Sequence, residues 1–580
     1  MCRLYKDGRS NHETKLLAIE IINRLMNNKY KYKKVLISIS LLVLILINMT
    51  NVFAQKADIS YSISISTDRS FYVVGETVEL KVYIPELFYP EKLTRSFVYC
   101  DMVGQDGQIQ ASLKLMLKNG QGESQIKIPS SLKSGHYIIR AYTREMRTNP
   151  ANYGFSIIKV VNVEDKALLG LTDNSILKLN IDSLENYENE SIAISGLNRQ
   201  ISKRIKAHFD LEIDTNNISI PSLSISVVPK TTFNYNKLNA KLLTKQDINN
   251  KYAYVENRGF SLSGTVIQKD TSIAMLRKRI FVSIVGTKDV LTTMSDSVGK
   301  FYVSLPIIYG EHEVYISTDT IDKNAIILID KDYDLQSNYW FNREFRLTAS
   351  EKKLALMLAQ NIAVYKLFNN NTLTEESIIA KKPFYGSPDE TTVIMDFIDL
   401  PRLHMYFTEL PSSVHLYKKQ KKYKARIFDS NSIPLLQNPL IMVDYVAVND
   451  LDRVFNLNPK LINRIEVVNS YYQKGDLSFG GIINFISNNG DFGGLEFKNS
   501  SLVINYSFLT AYNPIQLIKK DKSSPDARTT LYWNPKPEVV GNKVSIDFYS
   551  SDVEGDFEVI IQAIDKKGNN TVLKKAFKVE

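Results

Sequence analysis

Residues Pro439 to Ser487 read PLIMVDYVAVNDLDRVFNLNPKLINRIEVVNSYYQKGDLSFGGIINFIS, and this stretch decides how the rest of the chain is interpreted. Asn458 and Pro459 supply an N-cap and a first-turn proline, so one helical turn is expected at 460–463. Short apolar runs bounded by polar turns predict strands. These strands are Ile441 to Val443, Val446 to Val448, Arg464 to Val468 and Ile482 to Ser487. The stretch therefore predicts a small mixed module of strands around one short helix.

The same stretch resembles the plug domain of TonB-dependent outer-membrane receptors. The family's v-D-G-v-p, n-P-x-x-I-e-x-I-E-V and G-x-x-G-v-I-n-I elements are matched by Val443 to Val446, Asn458 to Val468 and Gly480 to Ile486. Two departures matter. Tyr445 replaces the usual turn glycine, and Tyr471 and Tyr472 fill a loop where small residues are customary. The resemblance implies a plug-like fold over residues 431–498.

A receptor plug normally fills a membrane barrel, and the length of this chain argues against one. The residues from Asn488 to Glu580 are far fewer than a barrel of roughly 22 strands of about 10 residues needs. We therefore expect the plug-like module to act without a barrel, as a separate binding unit. A plug that is not tightly enclosed would tolerate the bulky tyrosines.

Composition places the chain among folded proteins with several domains. Its 580 residues are too many for one core, and 44% hydrophobic with 23% charged residues is an ordinary globular balance. About four domains are expected. The net charge of +10 includes a lysine-rich N-terminal region, so it does not indicate a nucleic-acid partner.

Residues 1–54 read as an N-terminal extension followed by a signal peptide. Lysines precede the apolar run Val35 to Ile47, which is short for a membrane span but suits a signal-peptide core. Cleavage is expected after Ala54, and Met26 is the expected true start. An uncleaved N-terminal anchor is the alternative, and in both cases the remaining chain is exported.

Residues 57–163 carry a period-two pattern broken by turns, which predicts half-buried antiparallel strands. The expected apolar face consists of Ile59, Tyr61, Ile63, Ile65, Val78, Leu80, Val82 and Ile84. Asn119-Gly120 predicts a hairpin turn. Roughly seven short strands in this length favour a sandwich.

The stretches TDRSFYVVGETVELKVYI and GQGESQIKIPSSLKSGHYIIRAYT, from 67 to 84 and from 120 to 143, resemble the second macroglobulin-type domain of the alpha-2-macroglobulin family. Such domains are structural sandwiches, whereas covalent trapping of proteases in that family uses a thioester between Cys and Gln. Cys2 leaves with the leader, and Cys100 lies outside any Gly-Cys-Gly-Glu-Gln stretch. Covalent trapping is therefore not expected. Cys100 is expected to be a buried small apolar residue, with a reactive thiol as the alternative.

Two further sandwiches are predicted before the helical region. Residues 164–256 form the first, because Leu223, Ile225 and Val227 alternate and SISVVPKTT resembles the last strand of a macroglobulin-like domain. Residues 257–345 form the second, with strands around Val266, Val282 to Ile284 and Phe301 to Val303. This unit resembles the carboxypeptidase regulatory-like domain, a small transthyretin-like sandwich whose name implies no catalysis.

Residues 346–430 are predicted to be a helical and basic connector. The helix spans Ser350 to Asn369, begins with Ser350 as its cap and packs an apolar stripe on a neighbouring module. A separate membrane or partner helix is the alternative. The basic run Tyr417 to Arg426 is expected to be a solvated linker, with contact to phosphate-bearing lipid or lipopolysaccharide as the alternative. Residues 499–580 predict one more sandwich, with strands at Val544 to Tyr549 and Phe557 to Ala563.

No catalytic, cofactor-binding or metal-binding residue is predicted, and the binding residues are unknown at this stage. The acid pairs Asp332 with Asp334 and Glu375 with Glu376 are expected to be solvated surface. Five histidines follow the leader and lie in different modules without metal-type spacing. These are His136, His208, His312, His404 and His415. No cofactor and no enzymatic activity are expected.

These patterns predict a mainly β protein, a string of Ig- or fibronectin-like sandwiches with a small α+β plug-like domain and a short helical segment. We expect a non-enzymatic exported protein of a Gram-negative, Bacteroidota-like cell envelope, in the periplasm or at the outer membrane. Its plug-like domain would bind an outer-membrane barrel protein or a surface ligand, with the sandwiches as spacers. No integral membrane domain is expected after signal cleavage. The alternatives are a macroglobulin-like protease inhibitor and an accessory of a separate TonB-dependent nutrient transporter, and the oligomeric state does not follow from the sequence.

Overall fold

A computed structural model describes the chain in segments. They are residues 63–87, 95–165, 192–214, 222–234, 256, 259–318, 325–334, 345–368, 382–497, 501–514, 524–565 and 570–580. By its contacts the chain divides into two units, Met1–Ser60 and Tyr61–Glu580. The predicted leader, with Met26 and Ala54, lies outside the described residues. The second unit is mainly β, as predicted.

The first sandwich contains eight described strands. They are β1 (Ser64–Thr67), β2 (Phe71–Val73), β3 (Thr77–Tyr83), β4 (Arg95–Val103), β5 (Ile109–Lys118), β6 (Gln121–Lys127), β7 (Gly135–Tyr142) and β8 (Gly154–Val161). Their order is β1-β3-β6-β5-β4-β7-β8-β2, and the sheet curls until β1 contacts β8. Asn119 and Gly120 have positive φ and form the predicted turn.

The predicted apolar face of the first sandwich is confirmed where it is described. Its buried members are Ile63, Ile65, Val78, Leu80, Val82 and Ile84, whereas Ile59 and Tyr61 lie outside the described residues. The expectation of a half-buried sheet is wrong for β3. Glu79 and Lys81, on its polar face, are also buried, because a second module covers them.

The next four described strands are β9 (Ile192–Ser195), β10 (Gln200–Ile201), β11 (Lys206–Ile213) and β12 (Ser222–Pro229). The following six are β13 (Ser261–Gln268), β14 (Arg279–Ile284), β15 (Val290–Met294), β16 (Lys300–Ser304), β17 (Glu311–Thr318) and β18 (Ala325–Ile329). In the latter group β16-β13-β18 form one sheet, and β15, β14 and β17 are neighbours in another. The strands expected around Val266, Val282 and Phe301 are confirmed.

Helix α1 (Ala349–Phe368) confirms the predicted helix and its packing. Ala355 and Leu358 are buried against Phe71 and Val161 of the first sandwich. The predicted cap is wrong by two residues. Thr348 caps the helix, because its Oγ1 accepts from the amide of Glu351 at 3.2 Å while the carboxylate of Glu351 accepts from the amide of Thr348 at 2.8 Å.

The α+β module follows. Its strands are β19 (Glu390–Val393), β20 (Val414–Lys419), β21 (Lys422–Ile427), β22 (Leu440–Val443), β23 (Val446–Ala447), β24 (Ile462–Val468), β25 (Tyr472–Lys474), β26 (Leu477–Phe479) and β27 (Ile482–Ser487), and its helix is α2 (Leu451–Phe455). The central sheet has the order β19-β24-β27-β22-β23. The four predicted strands are confirmed, and Asn458 caps the 3-10 turn Pro459–Leu461 as expected. Helix α2 and the β25–β26 hairpin were not predicted.

The basic run is not a linker, contrary to the prediction. It forms the hairpin of β20 and β21, with Gln420 and Lys421 at its positive-φ turn. Val414, Ala425 and Ile427 belong to the core of the α+β module, together with Leu403. The module therefore extends back into the predicted connector, because the inward residues of the hairpin bury apolar surface on the central sheet.

The last strands do not form a sandwich of their own. They are β28 (Ser501–Ser507), β29 (Tyr532–Asn534), β30 (Lys543–Tyr549), β31 (Gly555–Ile564) and β32 (Asn570–Val579). Strand β28 pairs with β17 of the third sandwich. The other four share sheets with the strands from 192–229, in the orders β10-β32-β31-β12-β29 and β30-β11-β9. The two sandwiches predicted at 164–256 and 499–580 are thus one mixed sandwich, because neither half closes the shared core around Phe209 and Phe548 alone.

The helices described here do not include a membrane span, since none combines the necessary length with sufficient apolar character. This finding concerns the described residues alone.

Candidate binding surface

A buried ionic joint connects the first and third sandwiches. Arg140, fully buried, donates to Asp101 at 2.9 Å, and Tyr142 donates to the same carboxylate at 2.8 Å. The amide of Asp334 in turn donates to the hydroxyl of Tyr142 at 2.7 Å. Tyr153 donates to the Asp334 carboxylate at 2.8 Å. Each charge therefore has an opposite charge or a hydrogen-bond partner, which is the condition for keeping it away from water.

The same joint contains two further buried cations, Lys114 and Arg144. Lys114 lies 2.6 Å from the carboxylate of Asp332 and donates to the carbonyl of Ser507 at 2.6 Å. Arg144 lies between Asp332 and Glu256, at 3.4 Å from each. Burial lowers the pKa of Lys114 and raises the pKa of Glu256, although the neighbouring opposite charges act against both shifts.

The expectation that Asp332 and Asp334 are solvated surface is wrong. Asp334 is 2% exposed, and both acids belong to this joint. Sequence spacing showed two acids in a polar stretch but not the arginine and lysine that meet them from residues far earlier in the chain. Glu375 and Glu376 lie outside the described residues.

A second ionic joint connects the first and mixed sandwiches. Arg69 contacts Asp68 at 3.2 Å and Glu76 at 3.1 Å, and Thr530 donates to Asp68 at 2.7 Å. Lys81 donates to the carbonyl of Leu223 at 2.9 Å. These polar groups bind parts of the same chain, so they act as connections between modules.

Two neighbours on β3 have strongly shifted pKa values in this joint. Burial raises the pKa of Glu79 to about 9, with the charge of Asp68 adding to the effect. Burial lowers the pKa of Lys81 to about 7. The fold therefore shifts both side chains toward their neutral forms, so that near pH 7 Glu79 is mainly neutral and Lys81 is close to its titration midpoint.

The central sheet of the α+β module is buried on both faces. Leu440, Met442 and Ile482 point to one face and pack on Phe281 and Val290 of the third sandwich. The opposite face contributes Val443, Ile465, Ile483 and Phe485 to a separate core. The third sandwich therefore occupies one face, and any free surface of the module lies on the other side.

The junction with the third sandwich also contains a polar cluster. Tyr385 donates to the carboxylate of Glu466, and Asn484 donates to the hydroxyl of Tyr385 at 2.9 Å. Tyr445 stacks on Tyr385 with ring centroids 6.2 Å apart. Asp444 and Tyr445 have φ of 46° and 67°, so the turn keeps a left-handed conformation without the glycine that the plug family customarily has.

We call the layer on the opposite side the cover layer, defined as residues 394–427 together with α2. The layer contains a 3-10 helix, Leu403–Thr408. Leu403, Tyr406 and Phe407 point from this helix into the core, as do Val414 and Ile427 of the hairpin. His404 lies 5.1 Å from the ring of Tyr423, which joins the 3-10 helix to the hairpin. The other side of this layer faces solvent.

The hairpin of the cover layer is basic on its solvent side. It contains six basic and no acidic residues, namely Lys418, Lys419, Lys421, Lys422, Lys424 and Arg426, all of them exposed. None forms an ion pair with a described residue, whereas the ion pairs of the same module join Lys460 to Asp399 and Arg464 to Glu466. Burial lowers the pKa of His404, and the nearby positive charges of Arg402 and Lys418 lower it further.

Exposed apolar side chains lie in the same cover layer, in the segment before the hairpin. Met395 is 82% exposed and Ile398 is 78% exposed, and Phe397 and Met405 are also exposed. We call these four residues the apolar ridge. Tyr406 ties the segment together, because its hydroxyl accepts from the amide of Leu400 at 3.1 Å and donates to the carbonyl of Ile398 at 3.3 Å. The apolar ridge and the basic hairpin are thus two exposed parts of one layer.

The remaining candidate groups are buried or have local partners. Cys100 is buried, as predicted, and burial raises the pKa of its thiol. His208 lies 2.8 Å from Asp547 and 3.4 Å from Asp210 on an exposed strand face, and hydrogen bonding to Asp547 raises its pKa. Across the described residues, no group of three or more His, Cys, Asp or Glu side chains is placed to hold a metal ion.

Sequence reasoning missed most of this surface. The basic run was recognised, but the segment from Met395 to Met405 was not interpreted. One signal was available in the sequence. Val414 and Leu416 before Gln420-Lys421, and Tyr423, Ala425 and Ile427 after it, follow the two-residue period of a hairpin.

Comparison with known proteins gives low similarity. No family model and no curated protein matches the sequence. Among solved structures, the Salmonella alpha-2-macroglobulin reacted with methylamine matches at 8% identity and a TM-score of 0.22, over 90% of this chain and 39% of that chain. The native conformation of the Escherichia coli alpha-2-macroglobulin matches at 9% identity and a TM-score of 0.21, over 91% and 40%. Dimeric latent PorU from Porphyromonas gingivalis matches at 11% and 0.14, over 90% and 34%.

This chain spans about two fifths of the length of the two alpha-2-macroglobulins. TM-scores this low do not establish a shared fold. The macroglobulin resemblance therefore rests on the quoted sequence stretches.

Proposed function

We propose that this chain is a non-enzymatic component of a bacterial cell envelope that binds a partner through the cover layer of its α+β module. The sandwiches hold that layer in a fixed position. The proposed export rests on the signal-like leader, and the proposed location at the outer membrane rests on the plug resemblance.

One observation carries the proposal. The buried charges of the two ionic joints have opposite charges within the chain, whereas the six basic residues of the hairpin form no ion pair with a described residue, and Met395 and Ile398 are largely exposed. Exposed apolar groups rimmed by charge are typical of binding surfaces. The cover layer therefore differs from the joints, because its basic and apolar side chains are exposed and can contact a partner.

The rigid attachment of the module supports this role. Thr292 donates to the carbonyl of Lys474 at 2.5 Å, and Lys474 lies 2.6 Å from Asp289. The amide of Phe384 donates to the carbonyl of Lys288 at 3.1 Å. These contacts fix the covered face on the third sandwich, so a partner that meets the cover layer is held at a constant orientation to the rest of the chain.

Site-specific photo-crosslinking in intact cells tests the proposal. A photoreactive amino acid at Ile398 should give a discrete crosslinked product, because this side chain is 78% exposed on the cover layer. The matched control places the same amino acid at Ile273, which is 61% exposed on the third sandwich. A product at position 273 but not at 398 would contradict the proposal. Capture of an outer-membrane receptor would favour the accessory role, and capture of a protease would favour the inhibitor role.

A further inference from the structure

The outer face of the basic hairpin contains a cross-strand pair of like charges, which destabilises it. Lys419 lies directly opposite Lys422, and Lys424 lies opposite Tyr417. Like charges directly opposite each other in an antiparallel pair are destabilising. An acidic residue at either position would remove this repulsion, so the observed pairing suits an external anion better than it suits the isolated fold.

Aromatic rings accompany these cations. Arg426 lies over the ring of Tyr417 at 5.6 Å, and Lys418 lies over the ring of Tyr423 at 4.5 Å. Asp452 of α2, which packs against the hairpin, accepts from the backbone amide of Tyr423 at 3.0 Å. Two further acids of the cover layer, Asp396 and Asp399, are exposed among the residues of the apolar ridge, and Asp399 pairs with Lys460 at 3.2 Å. The Asp452 carboxylate is thus used in joining α2 to β21, and the outward lysines stay available.

The apolar ridge supplies the second half of the surface. Met395 and Ile398 lie on the same layer as the hairpin and project flexible or branched apolar groups into solvent. A surface that combines lysines, tyrosines and exposed apolar side chains fits the boundary of a lipid layer, where headgroup phosphates lie beside acyl chains. A soluble anion would use only the basic half.

On this basis we propose that the cover layer docks on an anionic lipid surface. The hairpin would lie at the level of the headgroup phosphates, and Met395 and Ile398 would enter the apolar region beneath them. The inference rests on the proposed function, since it names the partner of the same surface. Each lysine near such a surface contributes about a fivefold change in the binding constant.

Vesicle co-sedimentation of the purified chain tests this inference. We expect binding to mixed phosphatidylcholine and phosphatidylglycerol vesicles, much weaker binding to phosphatidylcholine alone, and a decrease as salt is raised. The double variant Lys419→Glu/Lys422→Glu should lower the affinity at least about tenfold. It exchanges two opposed cations for two opposed anions, so the cross-strand repulsion and the thermal midpoint should change little.

The matched control is Lys118→Glu/Lys127→Glu, which makes the same charge change at two exposed lysines of the first sandwich. It should bind vesicles like the wild type. Ile398→Ser should also weaken vesicle binding, whereas displacement by inorganic phosphate with no effect of Ile398→Ser would identify a plain anion site and overturn the lipid assignment. Equal binding of neutral and anionic vesicles, or no binding at all, would overturn it as well.

The two proposals can fail separately. A protein captured at position 398 in cells, combined with no vesicle binding, would leave the proposed function in place and remove the lipid partner. Absence of both would remove both.

Discussion

The first ionic joint and the basic hairpin use charge in opposite ways. In the joint, Arg140 and Asp101 are buried at 2.8 Å from each other. In the hairpin, Lys419 and Lys422 face each other in solvent without an acidic neighbour. The comparison teaches that clusters of charge in this chain have two roles. A paired and buried cluster fixes modules to one another, whereas an unpaired and exposed cluster is available to a partner.

Breaking the joint should give the largest effect. Asp101→Ala leaves Arg140 buried with its main counter-charge removed, and loss of one partner of a buried pair costs about 3–5 kcal/mol. The free energy of unfolding, followed by circular dichroism in urea, should fall by this amount. Lys543→Ala is the control, because its pair with Glu212 is exposed and should contribute less than about 1 kcal/mol. Equal effects of the two variants would show that the joint does not hold the modules together.

The second joint should make stability depend on pH. The folded-state pKa of Glu79, about 9, lies above its ordinary value of 4.5, so its contribution is complete below pH 4.5 and is lost as pH rises toward 9. Glu79→Gln keeps a neutral group and removes this loss. At pH 8 the variant should be more stable than the wild type by on the order of 3 kcal/mol, and near pH 4 the two should agree.

Lys81 acts against Glu79 over part of this range. Its folded-state pKa, about 7, lies below its ordinary value of 10.5, so the wild type regains stability from pH 7 upward. This contribution is common to the wild type and to Glu79→Gln, and it cancels in the difference between them. Denaturation curves at several pH values would contradict the assignment if that difference stayed constant.

A substitution in the hairpin should give the smallest change in the free energy of unfolding, and it should be stabilising, unlike Asp101→Ala. Lys419→Glu places opposite charges across the strand pair with Lys422, which is expected to stabilise the hairpin by about 0.2–1 kcal/mol. The same change should weaken vesicle binding. Lys419→Gln serves as the neutral control and should fall between the wild type and Lys419→Glu in both measurements. A destabilising effect of Lys419→Glu would assign the lysine to the fold instead of to a partner.

Local patterns in the sequence were sufficient for individual elements. Four strands of the central sheet (β22, β23, β24 and β27), the turn at Asn119-Gly120 and helix α1 follow from periodicity and from turn or cap chemistry, which act between residues close in sequence. The misassigned cap shows the limit of such reasoning. Thr348 and Ser350 are both good caps, and the pairing of Thr348 with Glu351 decided between them.

Assignments that needed distant partners were wrong. Glu79 and Lys81 alternate with apolar residues, as on a solvent-facing side of a strand. Lys81 nevertheless donates to the carbonyl of Leu223, which lies more than a hundred residues later in the chain. Asp332 and Asp334 were predicted to be solvated, but the first sandwich covers them. In each case the polar pattern was read correctly, but whether water or another module satisfies it is decided by long-range packing.

By itself, the amino-acid sequence determined that this protein is mainly β, where many of its strands lie and that a basic segment precedes the plug-like stretch. The tertiary structure decided that strands from 192–229 and 532–579 share one sandwich, that two polar faces of the first sandwich are ionic joints, and that the basic segment is an exposed hairpin. The physical reason is the range of the interactions. Strand periodicity is a property of neighbouring residues, whereas burial of a charge depends on which distant segment comes to lie against it.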